Sequence, residues 1–521
     1  MRTKVLLALA LLAGCGDRDA AWDAPLPPAP RAYGLEGSVA LVDEPAGRLV
    51  VVSAGGDLEA RPRSVPIEGG FVDAAASSDG ARLFVLARGD VPRRSPSDRP
   101  PTVQVVGGRS GEGPGERYVL SDPLSSLAVD PSGRFVVAYP SGKDVSFVQN
   151  PNELIVIDAD RPAAEGANPT PVTLRSFGGR PRALSFTPPL GVPGGPRRLL
   201  VVQTEQDLAL VDLEAPAAGE ITVRLTTGGA KLSPAGVAVS DGEAGKDDAR
   251  IAVRLEGDPN VVVLSFEQSA PGSSQHAFRP VPNVVAAGGV PSDLAFVRTD
   301  AGERLAALVP SRGALTLADT VTGVTSEVEL GAAFDRMSLV TDELGEGGGG
   351  DVALVWSTSA AEVALVRLGI TAGTPYRSVE RLALATPVAS VRDVPGANRH
   401  CKLLASSDGR DLAVLDLVAR TASPLVAARG NTALSVSPDG ERAWVRAQGS
   451  AELALVDLAS LHPRNLLLDR PIDGAFEIAR PDGGPALVAV HPYGAITLLD
   501  ARAPDPLAAR HYAGFLLGGL P

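Results

Sequence analysis

The chain has 521 residues, 44% of them hydrophobic, a net charge of −13 at pH 7 and two cysteines. That acidic balance excludes nucleic acid, and anionic lipid held by charge alone, because both need a basic surface. The apolar content is ample for a large core, and two cysteines exclude a dense disulfide framework as the source of stability.

Met1-Arg2-Thr3-Lys4 is a short basic start, and Val5 to Ala13 is an apolar run of nine residues. A spanning helix needs about twenty, so this run reads as a targeting segment. It closes in Leu12-Ala13-Gly14-Cys15 before the polar Gly16-Asp17-Arg18-Asp19. These residues resemble a bacterial lipoprotein signal peptide with its lipobox. The resemblance implies removal of residues 1–14, lipid on Cys15 and a body outside the cytoplasm; stable anchoring takes two or more acyl chains. Loss of Arg2 and Lys4 lowers the basic residues from 48 to 46 against 61 acids, leaving about −15. Gly16 stands where an inner-membrane retention signal often has Asp, which points to the outer membrane. Residues 15–37 are expected to be a lipidated tether, because Asp23-Ala24-Pro25-Leu26-Pro27-Pro28-Ala29-Pro30 favours an extended spacer. With Cys15 lipidated, Cys401 has no partner for a disulfide.

From Ser38 onward one pattern recurs. A short apolar strand meets a turn of Asp, Pro, Ser or Gly. A basic residue then opens a stronger apolar strand, and a third strand follows that often ends in Asp. The stronger strands begin at Arg48, Arg82, Arg134, Arg198, Arg250, Arg304, Asp351, Lys402, Arg442 and Ala486, which makes ten units. The third strands end at Asp158, Asp212, Asp319, Asp416, Asp457 and Asp500. A repeat of about 40 to 50 residues with several short strands predicts an all-β β-propeller of four-stranded blades over residues 38–521. The stronger strands are apolar on both faces, as expected where neighbouring blades cover both sides of a sheet. Ten units exceed the usual four to eight blades. One ring is expected because no linker-like break divides the middle; the alternative is seven or eight blades plus insertions. His511 to Leu517 is expected to supply a closing strand.

Two units carry a family resemblance. Ser437-Pro438-Asp439-Gly440-Glu441-Arg442-Ala443-Trp444-Val445, followed by Glu452 to Asp457, resembles a YVTN/WD-like propeller repeat. Asp130-Pro131-Ser132-Gly133-Arg134-Phe135-Val136-Val137-Ala138-Tyr139, followed by Leu154 to Asp158, does so too. The resemblance implies the fold; such propellers host surface proteins, lactonase-like enzymes and assembly factors alike.

The sequence contains no phosphate-binding loop, nucleophile elbow, H-E-x-x-H or C-x-x-C. No catalytic residue, metal ligand or cofactor is therefore assigned. His400 and Cys401 are adjacent, and alternation along a strand sends their side chains to opposite faces. Asn150-Pro151-Asn152-Glu153 offers oxygen ligands for a hard cation but reads as a polar turn. Arg88-Gly89-Asp90 reads as a surface loop. The repeated terminal Asp residues read as structural, each bonding backbone amides at the next turn.

Loop length is more informative. The first-to-second strand connections are tight in units one, two, three and nine. They are long in units four, five, seven and eight, at Pro188 to Arg197, Asp241 to Ala249, Asp342 to Gly350 and Pro395 to Cys401. Function concentrates on loops over a rigid scaffold. Asp241, Glu243, Asp247, Asp342, Glu343 and Asn398 are the candidate binding residues. The expectation is a non-enzymatic scaffold that binds other envelope proteins or a ligand. The alternative is a metal-assisted, lactonase-like hydrolase acting at a central channel.

Overall fold

The computed structural model describes residues 28–516, except 68, 110–113, 143–145, 164–166, 176–179, 228–229, 244, 271, 273–274, 345–349, 370–376, 407–410, 426–431 and 448. The expected signal segment and most of the expected tether lie outside the described residues.

The fold is an all-β propeller with ten four-stranded antiparallel blades, each in the order in which its strands occur along the chain. The blades span residues 32–66, 71–119, 126–173, 183–224, 234–286, 293–329, 336–383, 388–425, 432–467 and 474–512. Each of the ten repeat units thus forms its own sheet, which rules out the alternative of insertions between fewer blades. A two-stranded hairpin, Thr226–Thr227 with Ala230–Lys231, lies between the fourth and fifth blades.

The first unit differs from its sequence reading. Its first strand is Ala32–Gly34, which lies within the stretch expected as tether. Arg48–Ala54 is therefore the third strand of that blade rather than the second. The tight turn before Arg48 consequently joins second and third strands, unlike the turns it was grouped with.

Burial explains the apolar runs. In the fourth blade every residue of Leu199–Gln203 and Asp207–Asp212 is buried, because sheets pack on both faces. Outer strands such as Thr325–Glu329 are mostly exposed and carry charge. The turns before the second strands use side chains to bond the backbone. Asp130 accepts from the Phe135 amide at 2.7 Å, and Ser437 Oγ accepts from the Arg442 amide at 2.9 Å. Gly440 sits at φ +70°, and a Cβ there would lie 1.8 Å from the Pro395 carbonyl oxygen, so only glycine fits.

The chain forms two compact units. One carries the first, second and tenth blades. Within it the last blade packs on the first through Val39, Leu41, Val50 and Val52 against Val488, Val490 and Leu498. The closing segment Arg510–Tyr512 pairs with Ile496–Asp500 of its own blade. Phe515 and Leu516 plug the seam, and Tyr512 Oη donates to the Leu58 carbonyl at 3.1 Å. The other unit carries the third to ninth blades. Successive blades share apolar clusters, such as Leu199, Leu210, Ile251 and Phe266 between the fourth and fifth.

Candidate functional site

Two of the four long loops are built into one packed structure. Leu190 and Val192 in the loop of the fourth blade are fully buried, alongside Ala249 at the end of the fifth blade's loop. The Gly191 amide donates to the Asp241 carbonyl at 3.3 Å, and the Ala249 amide donates to the Gly191 carbonyl at 3.2 Å. A Cβ on Gly191 would meet the Lys246 carbonyl oxygen at 2.1 Å, so the two backbones touch only because this residue is glycine. Asp241, Glu243 and Asp247 are exposed on this shelf. Glu243 pairs with Lys246, and its amide donates to Asp248 at 2.8 Å.

Asn398 lies elsewhere. It ends the short helix Gly396–Asn398 in the eighth blade's loop, and its Nδ2 donates to the Gly440 carbonyl at 3.0 Å. That bond ties the loop to the turn of the ninth blade. Asp342 and Glu343 belong to the one-turn helix Thr341–Leu344, and the loop beyond it, 345–349, lies outside the described residues. Among the described residues, no bond joins the 241–249 shelf to Asn398.

The other sequence candidates have structural partners. Asn150 Oδ1 accepts from the Asn152 amide at 3.1 Å, and Glu153 accepts from Ser121 at 2.9 Å, as in a polar turn. Asp90 is held by Arg99 at 2.8 Å. The terminal Asp residues do cap the turns that follow them: Asp457 Oδ1 accepts from Ser460, Asp212 Oδ1 from Glu214 and Asp500 Oδ1 from Arg502.

The eighth blade contains a cluster that alternation along a strand does not predict. A ligand-capable atom from each of His400, Cys401 and Asp416 lies within 4.8 Å of the other two. His400 precedes the strand Cys401–Ser406, so strand alternation does not apply to it, and the expected divergence of the two side chains is corrected. Cys401 is directly opposite Asp416 in the ladder. Burial, and then the Asp416 charge, push the Cys401 thiol up to about 11. Asp416 Oδ1 accepts from the Val418 and Ala419 amides at 2.9 and 2.8 Å, which fixes the carboxylate. The Leu417 amide donates to the His400 carbonyl at 2.9 Å and holds the two segments side by side.

A second polar chain runs in the tenth blade from buried His491 and Thr497 to exposed His511. His491 Nδ1 donates to the Pro471 carbonyl at 2.7 Å, and its Nε2 lies 2.7 Å from Thr497 Oγ1. With Nδ1 carrying the proton, Nε2 of the neutral ring accepts from the Thr497 hydroxyl. That hydroxyl oxygen then accepts from His511 Nδ1 at 2.9 Å. Burial holds His491 below the ordinary histidine range, with Arg470 and His511 acting in the same direction and the Pro471 bond and Asp473 against it. A base with a depressed folded value takes its proton first in the unfolded chain. Stability is therefore expected to fall as pH drops below about 6.5 and to level off once the folded value is passed. His276, also depressed by burial, adds to this fall. Buried Asp212 and half-buried Asp293, whose values desolvation raises, act oppositely at lower pH. Denaturant midpoints between pH 7.5 and 5.5 check the sign. His491→Gln should flatten the slope, and an unchanged slope would remove His491 as its source.

No known sequence family and no curated protein matches the chain. Solved structures match it only distantly. A eukaryotic initiation factor shares 12% identity over 89% of this chain and 93% of its own, with a TM-score of 0.44. The dihydro-heme d1 dehydrogenase NirN, in complex with DHE, shares 12% over 85% and 76%, with a TM-score of 0.40. Apo AztD from Citrobacter koseri shares 14% over 75% and 95%, with a TM-score of 0.34. The fold assignment rests on the strand pairing of this chain itself.

Proposed function

We propose that the chain is a lipid-anchored extracytoplasmic protein whose propeller is a non-enzymatic scaffold for other proteins of the cell envelope. The observation that carries this reading is the segment Val5 to Cys15, a short apolar run ending in Leu-Ala-Gly-Cys. Among the described residues no helix is long and apolar enough to cross a membrane, so lipid on Cys15 is the proposed attachment. Gly16 favours the outer membrane. A repeat body with a packed core suits a scaffold, because it presents loops in fixed positions without ordering cost at binding. The shelf of the fourth and fifth blades, with Leu190 and Val192 buried beneath it, is such a pre-organised surface. The proposed contacts are Asp241, Glu243 and Asp247 on that shelf, with Asp342, Glu343 and Asn398 on the loops of the seventh and eighth blades.

Affinity purification from gently solubilised native membranes, with Cys15→Ala as control, tests the reading. A stoichiometric protein partner that is lost in the control supports the anchored scaffold. Recovery of the lipidated chain alone would overturn it. In the same experiment, deletion of 342–350 should weaken capture of the partner if that loop takes part, and unchanged capture would remove the loop from the contact.

A further inference from the structure

The third strands that end in Asp show what is unusual in the eighth blade. In the third blade Arg134, just before its second strand, bonds Asp158 at 3.0 Å. In the ninth blade Arg442 stands directly opposite Asp457 in the ladder; hydrogen bonds from the Ser460 amide and hydroxyl hold that carboxyl below the usual range, and the Arg442 charge acts in the same direction. The fourth, sixth and tenth blades pair an arginine with the equivalent acid: Arg197 with Asp212, Arg304 with Asp319 and Arg480 with Asp500. In the eighth blade Cys401 occupies the place of Arg442, directly opposite Asp416. His400 occupies the place that Arg134 holds beside Asp158, one residue before the position opposite the acid. The cation of this strand, Lys402, sits one residue on and pairs instead with Asp393, at 2.6 Å. The permanent cation beside the acid is thus replaced by a thiol and an imidazole.

We propose that His400, Cys401 and Asp416 bind one borderline divalent transition-metal ion, zinc being the best fit. This inference does not depend on the scaffold reading. A thiolate, an imidazole and a carboxylate form the mixed S, N, O set that such ions prefer over magnesium or calcium. Metal–ligand bonds of about 2.0–2.3 Å in a tetrahedron put ligand atoms about 3.3–3.8 Å apart. The present separations of up to 4.8 Å close to that by about an ångström of side-chain movement. The carboxylate is already oriented by two amides, and the backbone on either side of the cluster is cross-linked. Cys401 is 3% exposed, while His400 and Asp416 are half-buried, so the ion would have an apolar floor and an open side. On binding, the Cys401 S–H gives its proton to solvent and the sulfur coordinates as thiolate. Three protein ligands leave the fourth position for water or for a donor from a bound molecule.

The test uses the full chain with Cys15→Ser, which leaves Cys401 as the only thiol. After chelation and dialysis, zinc is titrated against a chromophoric chelator, and cobalt(II) is used as a spectroscopic probe. One equivalent of zinc, release of about one proton per ion, and a thiolate-to-cobalt charge-transfer band are expected. His400→Gln, Asp416→Asn and Cys401→Ala should each weaken binding by more than about tenfold, and Cys401→Ala should abolish the charge-transfer band. His400→Cys should retain binding, because it restores a ligand. Zinc should also raise the Tm of the parent chain but not of the variants, which separates lost ligation from lost folding. Two results would overturn the proposal: no stoichiometric uptake by the parent chain, or uptake unchanged in His400→Gln and Asp416→Asn.

Discussion

Phe135→Ala is expected to lower the free energy of unfolding by about 3–5 kcal/mol, the usual cost of emptying a large buried aromatic site. Phe135 has no exposed surface. It lies in the second strand of the third blade and packs with Val137, Leu154 and Val156 against Leu200, Val202 and Val211 of the fourth. The Arg134 guanidinium covers its ring at 4.4 Å, and that contact is lost as well. Sheets in a propeller meet along whole faces, so backbone relaxation that filled the void on one side would open the seam on the other. The cavity term should therefore stay large. Phe147 is 45% exposed, and Phe147→Ala should stay within about 0.5 kcal/mol. Denaturant unfolding of both variants, followed by two probes, checks the pair. A loss below about 1 kcal/mol for Phe135→Ala would mean that the interface between these blades is not closely packed.

Asp351→Ala should cost about 2–3 kcal/mol, for a different reason: it orphans partners rather than opening a void. Asp351 is 5% exposed and holds the sixth and seventh blades together. Its Oδ2 accepts from the Arg298 amide at 2.7 Å. Its Oδ1 accepts from the Arg298 side chain at 3.1 Å and the Thr341 hydroxyl at 3.2 Å. The Arg298 side chain is 73% exposed and can return to water, so its ion pair contributes little. The amide and the hydroxyl are the groups left unsatisfied. Asp351→Asn keeps an acceptor for the amide and should cost roughly half as much. Equal costs for the two variants would show that charge, not the acceptor, is what matters there. Thermal and denaturant unfolding give the comparison directly.

The repeat, its strand content and the number of units were legible in the sequence because each blade is local. Four consecutive short strands pair with one another, and second strands such as Leu199–Gln203 are buried on both faces. A continuous apolar run bounded by turn residues is the direct imprint of that burial. The capping role of the terminal Asp residues was legible for the same reason, since the amides they bond lie two or three residues away. The first strand, Ala32–Gly34, was not legible. Three residues behind a proline-rich stretch carry no periodicity, and the strand exists because Val39–Asp43 offers it an edge.

The candidate site divides in the same way. Long loops could be located by length, but that Gly191 threads against Lys246 while Asn398 leans on the ninth blade depends on contacts between blades. The convergence of His400 and Cys401 was misjudged because alternation holds only inside a strand, and His400 lies just before one. Asp416 joins them through register, from fifteen residues downstream in the ladder. By itself, then, the sequence determined the ten-fold repeat and most of its strands and turns, since these are written in neighbours along the chain. Only the tertiary structure decided which side chains meet, because strand register and blade packing bring together residues whose spacing along the chain carries no trace of the meeting.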